Sequence, residues 1–148
     1  MKIIMLILSM VIATQLFAVD LPDRLVGQYQ TDPGTCGVNH PDVFIANDGT
    51  KLTIASSTQE GTWVINEEIR LGTQGKKYDC SPTGKWSNPI ECMVEETENS
   101  ITLNERSCVL ICGQWGVAIG LTELDEGHVA IETALTQGRS CLLTKIVK

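Results

Sequence analysis

The sequence predicts an all-β domain of about ten short antiparallel strands, arranged as a barrel or a sandwich. Three observations carry that prediction. Apolar and polar residues alternate at period two along most of the chain, and no window sets apolar residues at i, i+3, i+4 and i+7, so no helix is expected. Gly, Pro, Asn and Asp interrupt the alternation at close intervals. Six cysteines follow an apolar N-terminus, the pattern of an exported, disulfide-bonded protein.

The N-terminus reads as a secretory signal. Lys2 supplies a positive start, Ile3 to Ala13 is apolar apart from Ser9, and small residues follow at Ala13 and Ala18. Cleavage after Ala18 leaves the more usual apolar length, which gives a signal peptide over 1–18 and one β domain over 19–148. The competing reading is a membrane anchor, because Ile3 to Val19 is nearly long enough to span. Thr14 and Gln15 interrupt that stretch and no basic cluster follows it. An exported protein, periplasmic or extracellular and without stable membrane insertion after cleavage, is the expectation.

The domain is expected to open with a strand over Arg24–Gln30, then a loop from Thr31 to Pro41. Val43-Phe44-Ile45 and Leu52/Ile54 form a hairpin around Asn47-Asp48-Gly49, residues that tolerate the positive φ of tight turns. Gly61 to Ile65 begins a second hairpin, turning at Asn66-Glu67-Glu68 into Ile69-Arg70-Leu71. That turn sets Ile65 against Ile69 and Trp63 against Leu71, with Trp63 in the core. After a turn at Gly72–Gly75 come a short strand over Lys76–Cys80, a loop over Ser81–Pro89, and strands over Ile90–Glu96, Ile101–Asn104 and Cys108–Cys112. Gly116–Leu124 and His128–Leu135 pair across Asp125-Glu126-Gly127, aligning Leu121 with Val129 and Ile119 with Ile131. Ala118, Gly120, Ala130 and Ala134 on their other face imply a curved sheet with a crowded side. A last strand covers Ser140–Val147.

Cys36, Cys80, Cys92, Cys108, Cys112 and Cys141 imply three disulfides. Two residues four apart on one strand lie ~13 Å apart, beyond the roughly 7 Å a disulfide spans. Cys108 and Cys112 therefore pair elsewhere, with Cys141 as the expected partner of one. Cys80–Cys92 is the simplest local bridge, across the loop 81–89.

Charge and motif exclude several functions. Removing residues 1–18 takes away Lys2 and no acid, so 11 basic residues become 10 against 18 acidic, a net charge of −8 in place of −7. No basic face for nucleic acid is present. The acids at Glu67-Glu68, Glu91–Glu98 and Glu123–Glu126 read as solvated loops, with an acidic patch for a basic partner as the sharper alternative. His40 and His128 have no neighbour at metal-ligand spacing, and neither H-E-x-x-H, C-x-x-C nor G-x-S-x-G occurs. Glu95 and Glu96 point to opposite faces of a strand, wrong for shared acid–base work. Asp32-Pro33-Gly34 and Asn47-Asp48-Gly49 are turns rather than calcium loops. No catalytic residue, metal or cofactor is expected. Trp86 and Trp115 sit among turn residues. They are candidate contacts for a ligand or partner, or else lids over the core.

Several of these segments resemble small bacterial lipocalin-like β-barrel domains. Leu25-Val26-Gly27-Gln28-Tyr29 is similar to their L-x-G-x-aromatic entry strand, Phe44 to Leu52 to their F-x-x-D-G-T hairpin, and Gly61-Thr62-Trp63-Val64-Ile65 with Ile69-Arg70-Leu71 to their G-T-W-x-I … I-x-L hairpin. The likeness covers residues 24–71. Six cysteines exceed what such domains usually carry, and Tyr29 stands where tryptophan is usual. The resemblance implies a closed or nearly closed barrel binding a small hydrophobic molecule without transforming it. Only six of the seven aromatic residues survive removal of Phe17, lean for a large lined pocket. The alternative is a secreted protein-binding module, such as an inhibitor of an extracellular hydrolase presenting Trp86.

Overall fold

The computed structural model describes residues 19–36, 41–80, 90–106, 116–133 and 139–147. The chain is all-β, as expected. Among the described residues ten strands form one antiparallel sheet: β1 (Gly27–Thr31), β2 (Val43–Asn47), β3 (Lys51–Ser57), β4 (Trp63–Arg70), β5 (Lys77–Cys80), β6 (Ile90–Glu96), β7 (Ser100–Arg106), β8 (Gly116–Asp125), β9 (His128–Thr133) and β10 (Cys141–Lys145). The spatial order is β4-β3-β2-β1-β10-β9-β8-β7-β6-β5. Every strand pairs with its chain neighbours except β4 and β5, and the first pairs with the last through Tyr29 and Lys145. The sheet is not closed: β4 and β5 are its edges.

One face of this sheet is apolar, and its side chains meet in one cluster. Ile45, Leu52 and Ile69 from one end of the strand order join Val94, Leu103, Ile119 and Leu121 from the other. Strands lie about 4.8 Å apart, so in a flat sheet β3 and β7 would stand roughly 30 Å apart. A single core therefore requires the sheet to roll up, apolar face inward.

Two one-turn helices correct the expectation of none: α1 (Leu21–Arg24) and α2 (Pro33–Cys36). A single turn is too short to show a 3.6-residue period, and each carries a proline at its start, where the missing N–H costs nothing. Asp32, read as part of a turn, caps α2 by accepting from the Thr35 N–H at 3.0 Å. The first strand starts at Gly27, because Arg24 belongs to α1.

Three sheet details also differ. Asn66-Glu67-Glu68 lies within the continuous strand β4, paired along β3. Ile54 pairs with Glu67 and Ala55 with Ile65, leaving Asn66 as the extra residue of a bulge. Ile65 and Ile69 do not face each other, and Trp63 is 40% exposed rather than in the core. In the β8–β9 hairpin Leu121 pairs with Ile131 and Ile119 with Thr133, two residues from the expected register. A shift of two keeps every side chain on its face, so the pattern was right about faces and wrong about partners. Cys141 bonds Cys36, not Cys108 or Cys112, with Cα atoms 4.6 Å apart. Cys92 is also disulfide-bonded; the side chains of Cys80, Cys108 and Cys112 lie outside the described residues, as does the expected strand over 108–112.

The expected turns at Asp48-Gly49 and Glu126-Gly127 are present, with Gly49 at φ +84° and Gly127 at φ +111°. Gly27 instead leaves room for a side chain: a Cβ there would sit 2.6 Å from Lys145 Cε, and the lysine would have to shift. Lys145 uses that clearance to donate from Nζ to Arg24 O at 3.2 Å. Gly27→Ala should lose this bond and cost about 1 kcal/mol in urea unfolding, with little change of fold.

Candidate functional site

The rolled sheet has two unlike ends. At one, short connections follow β2, β6 and β8, and α1 lies beneath them with Leu21 and Leu25 buried in the core. Tyr29 Oη donates to Leu25 O at 2.7 Å. Burial, then the charge of Glu123, pushes that phenol up to about 12, so it remains a donor. Arg24 Nε meets Glu123 Oε2 at 2.8 Å and its Nη2 donates to Glu98 O at 2.8 Å. The narrow end is thus sealed. A surface groove of about 1010 Å³ runs beside it, but the charges of Arg24 and Glu123 are already paired, as are His128 and Asp125 at 2.5 Å.

At the wide end the connections leaving β1, β3, β5, β7 and β9 begin. Four of them contain the segments outside the described residues, and two carry Trp86 and Trp115 in the sequence. Neither tryptophan nor His40 can be placed. Of the six cysteines, Cys36 and Cys141 tie α2 to β10 at this end.

The inner face changes character along its length. Toward the narrow end it is Leu, Ile and Val. Toward the wide end it carries Thr31, Ser56, Glu67, Tyr78 and Glu105 by strand parity. Glu67 stands opposite Ile54 on β3, and Glu105 stands opposite the fully buried Cys92 on β6. Both are partly buried, and no described side chain hydrogen-bonds to either carboxyl. Burial holds Glu105 above the usual carboxylate range. Burial first, then the charge of Glu105, pushes Glu67 up to about 7. The phenol of Tyr78 is raised mainly by burial, an effect that the neighbouring Arg70 backbone and Thr73 side chain partly oppose.

No protein-family model and no curated protein matches this chain.

Chemically, an inward carboxyl raised to about 7, as that of Glu67 is, can hold, give or accept a proton at neutral pH. Among the described residues no group of three or more His, Cys, Asp or Glu is placed to hold a metal, and no helix is long and apolar enough to cross a membrane. Sequence reasoning looked for paired acids in adjacent positions and passed over Glu67 and Glu105. The signal was present: each falls on the parity of apolar residues two positions away, Ile69 for one and Leu103 for the other.

This burial has a measurable consequence. Glu67 binds its proton more tightly folded than unfolded, so the folded state is favoured in acid and loses stability as pH rises from about 4.5 through about 7. Glu67→Gln should remove most of that decline and be more stable than the parent above pH 7 by about 1–2 kcal/mol, after allowing for the water that reaches a half-buried group. Thermal unfolding followed across pH checks both parts.

A second feature lies on the outer face. Phe44 and Trp63 stack at 5.6 Å with Ile65 beside them over Ala55, and the three are 37%, 40% and 50% exposed.

Proposed function

We propose that this chain is an exported, non-enzymatic binding protein of lipocalin-like type, its sheet closing into a barrel that carries a small hydrophobic molecule. The observation that carries this reading is the strand order: a meander of neighbouring strands, unpaired only between β4 and β5 among the described residues, whose first and last strands pair around one apolar face. Such a sheet, sealed by α1 at one end and bearing the long connections at the other, offers its interior from one side. The polar inner residues at the wide end then lie where a ligand's polar group would meet the protein.

The test uses the neutral dye N-phenyl-1-naphthylamine with the disulfide-intact protein. The reading predicts saturable fluorescence enhancement at one dye per chain, retained by a Phe44→Ser/Trp63→Ser variant whose outer patch is gone. Loss of binding in that variant, or no enhancement by the folded protein, contradicts it.

The exposed Phe44–Trp63 stack favours a second reading, a secreted module that binds a protein, for example as an inhibitor of an extracellular hydrolase. Paired aromatic side chains on a rigid sheet are the residue types that anchor protein interfaces. A protein complex dissociated by the same double variant would support it.

A further inference from the structure

The two strands at the edges of the sheet, β4 and β5, are consecutive in the chain and have no ladder between them; they approach where Arg70 of β4 reaches Tyr78 of β5. Their narrow-end junction is tied. Thr73 Oγ1 donates to Arg70 O at 2.8 Å, Gly75 N donates to Val94 O at 2.5 Å, and the Arg70 guanidinium lies 5.2 Å from the centre of the Tyr78 ring. Toward the wide end the described part of β5 runs to Cys80, and β4 extends through a bulge at Asn66. No backbone pairing resists separation there among the described residues. This is where the inner face turns acidic: Glu67 stands on β4, and Glu105 stands on β7, two strands beyond β5.

We propose that the seam between β4 and β5 is a pH-responsive gate to the inner face, shut while Glu67 and Glu105 share fewer than two charges and opened when both are ionised. Two like charges on the inner face of a half-buried wall repel and must be hydrated. The wall yields where it has no ladder.

No described cation offsets the pair. From β3 the inner face presents Ile54 and Ser56, from β5 Tyr78, and from β6 Cys92, which is in a disulfide and does not titrate. Lys51 is held by Glu68, and Arg70 is engaged with the Tyr78 ring. By strand parity Lys77, Asp79 and Glu91 fall on the other face, and Arg106 follows Glu105 at the register position opposite Glu91. Burial raises both carboxyls, and the charge of Glu105 adds to the rise that brings Glu67 to about 7.

Hydrogen–deuterium exchange of the full disulfide-bonded protein at pH 5.5 and pH 8.0, corrected for the intrinsic exchange rate, tests this without any ligand. The readout is therefore independent of whether the protein carries a hydrophobic molecule. Protection of β4 and β5 amides should fall about tenfold or more at the higher pH, while β1 and β10 stay unchanged. The Glu67→Gln/Glu105→Gln variant should lose this dependence. Equal pH response across all four strands of the parent protein overturns the proposal, and so does a folded double variant that keeps the response. The parent comparison stands even if the variant does not fold.

Discussion

Replacing Cys36 and Cys141 together by serine is expected to lower stability by about 3–4 kcal/mol and the unfolding midpoint by roughly 10–15 °C. The bond spans 105 residues, so its loss frees a large loop in the unfolded chain, and loop entropy grows with the logarithm of length. It also releases a local clasp. Asp32 N donates to Leu142 O at 2.9 Å and Leu142 N to Thr35 Oγ1 at 2.9 Å, holding α2 against β10 beside the bond. Because β1 leads directly into α2, the disulfide fastens the junction where the first and last strands meet. Circular dichroism melts of the parent and double variant, without reductant, measure the loss. A change below about 1 kcal/mol would show that the β1–β10 ladder holds this junction without help.

Leu121→Ala is expected to cost about 2–5 kcal/mol, since truncating a packed side chain loses its burial and leaves a cavity. Leu121 is fully buried and stands in a cross-strand row between Ile101 on β7 and Ile131 on β9. Those neighbours are themselves fixed by the same core and cannot collapse far into the space. Leu124 sits three residues on and is 56% exposed, so Leu124→Ala should change stability by no more than about 0.5 kcal/mol. A double-mutant cycle discriminates the register: Leu121 should couple with Ile131 and much less with Val129, which pairs with Glu123. Coupling to Val129 instead would restore the alignment read from sequence.

These cases show what was legible in the chain. Alternation at period two revealed the strands because one face of a rolled sheet must be apolar, as Ile101/Leu103 and Ile119/Leu121 are. It could not reveal which partner stands opposite, because sliding by two residues leaves that alternation unchanged. Leu121 was therefore placed on the right face with the wrong neighbour. Asn66-Glu67-Glu68 was mistaken for a turn because three consecutive polar residues satisfy turn statistics. In the fold one is a bulge, Glu68 points outward to Lys51, and Glu67 points inward. The Cys36–Cys141 bond depends on the meeting of β1 and β10, a long-range contact that no local spacing encodes. The one-turn helices left too little sequence to show a period, although Asp32-Pro33 carried a cap and a first-turn proline in plain view.

The candidate site was legible only in part. Parity alone would have placed Glu105 with Ile101 and Leu103, an acid on an apolar face. Glu67 shares the parity of Ile69, but Asn66-Glu67-Glu68 reads as a turn, and the bulge at Asn66 puts Ile65, two residues the other way, on the opposite face.

Native mass spectrometry of the unreduced protein, purified after export from its own host, tests the central claim most directly. A chain starting after Ala18, with its disulfides formed and extra mass that leaves under mild activation, is the predicted spectrum. A bare mature mass from freshly exported protein would contradict the account of a ligand carried on the inner face, and would turn attention to the Phe44–Trp63 surface.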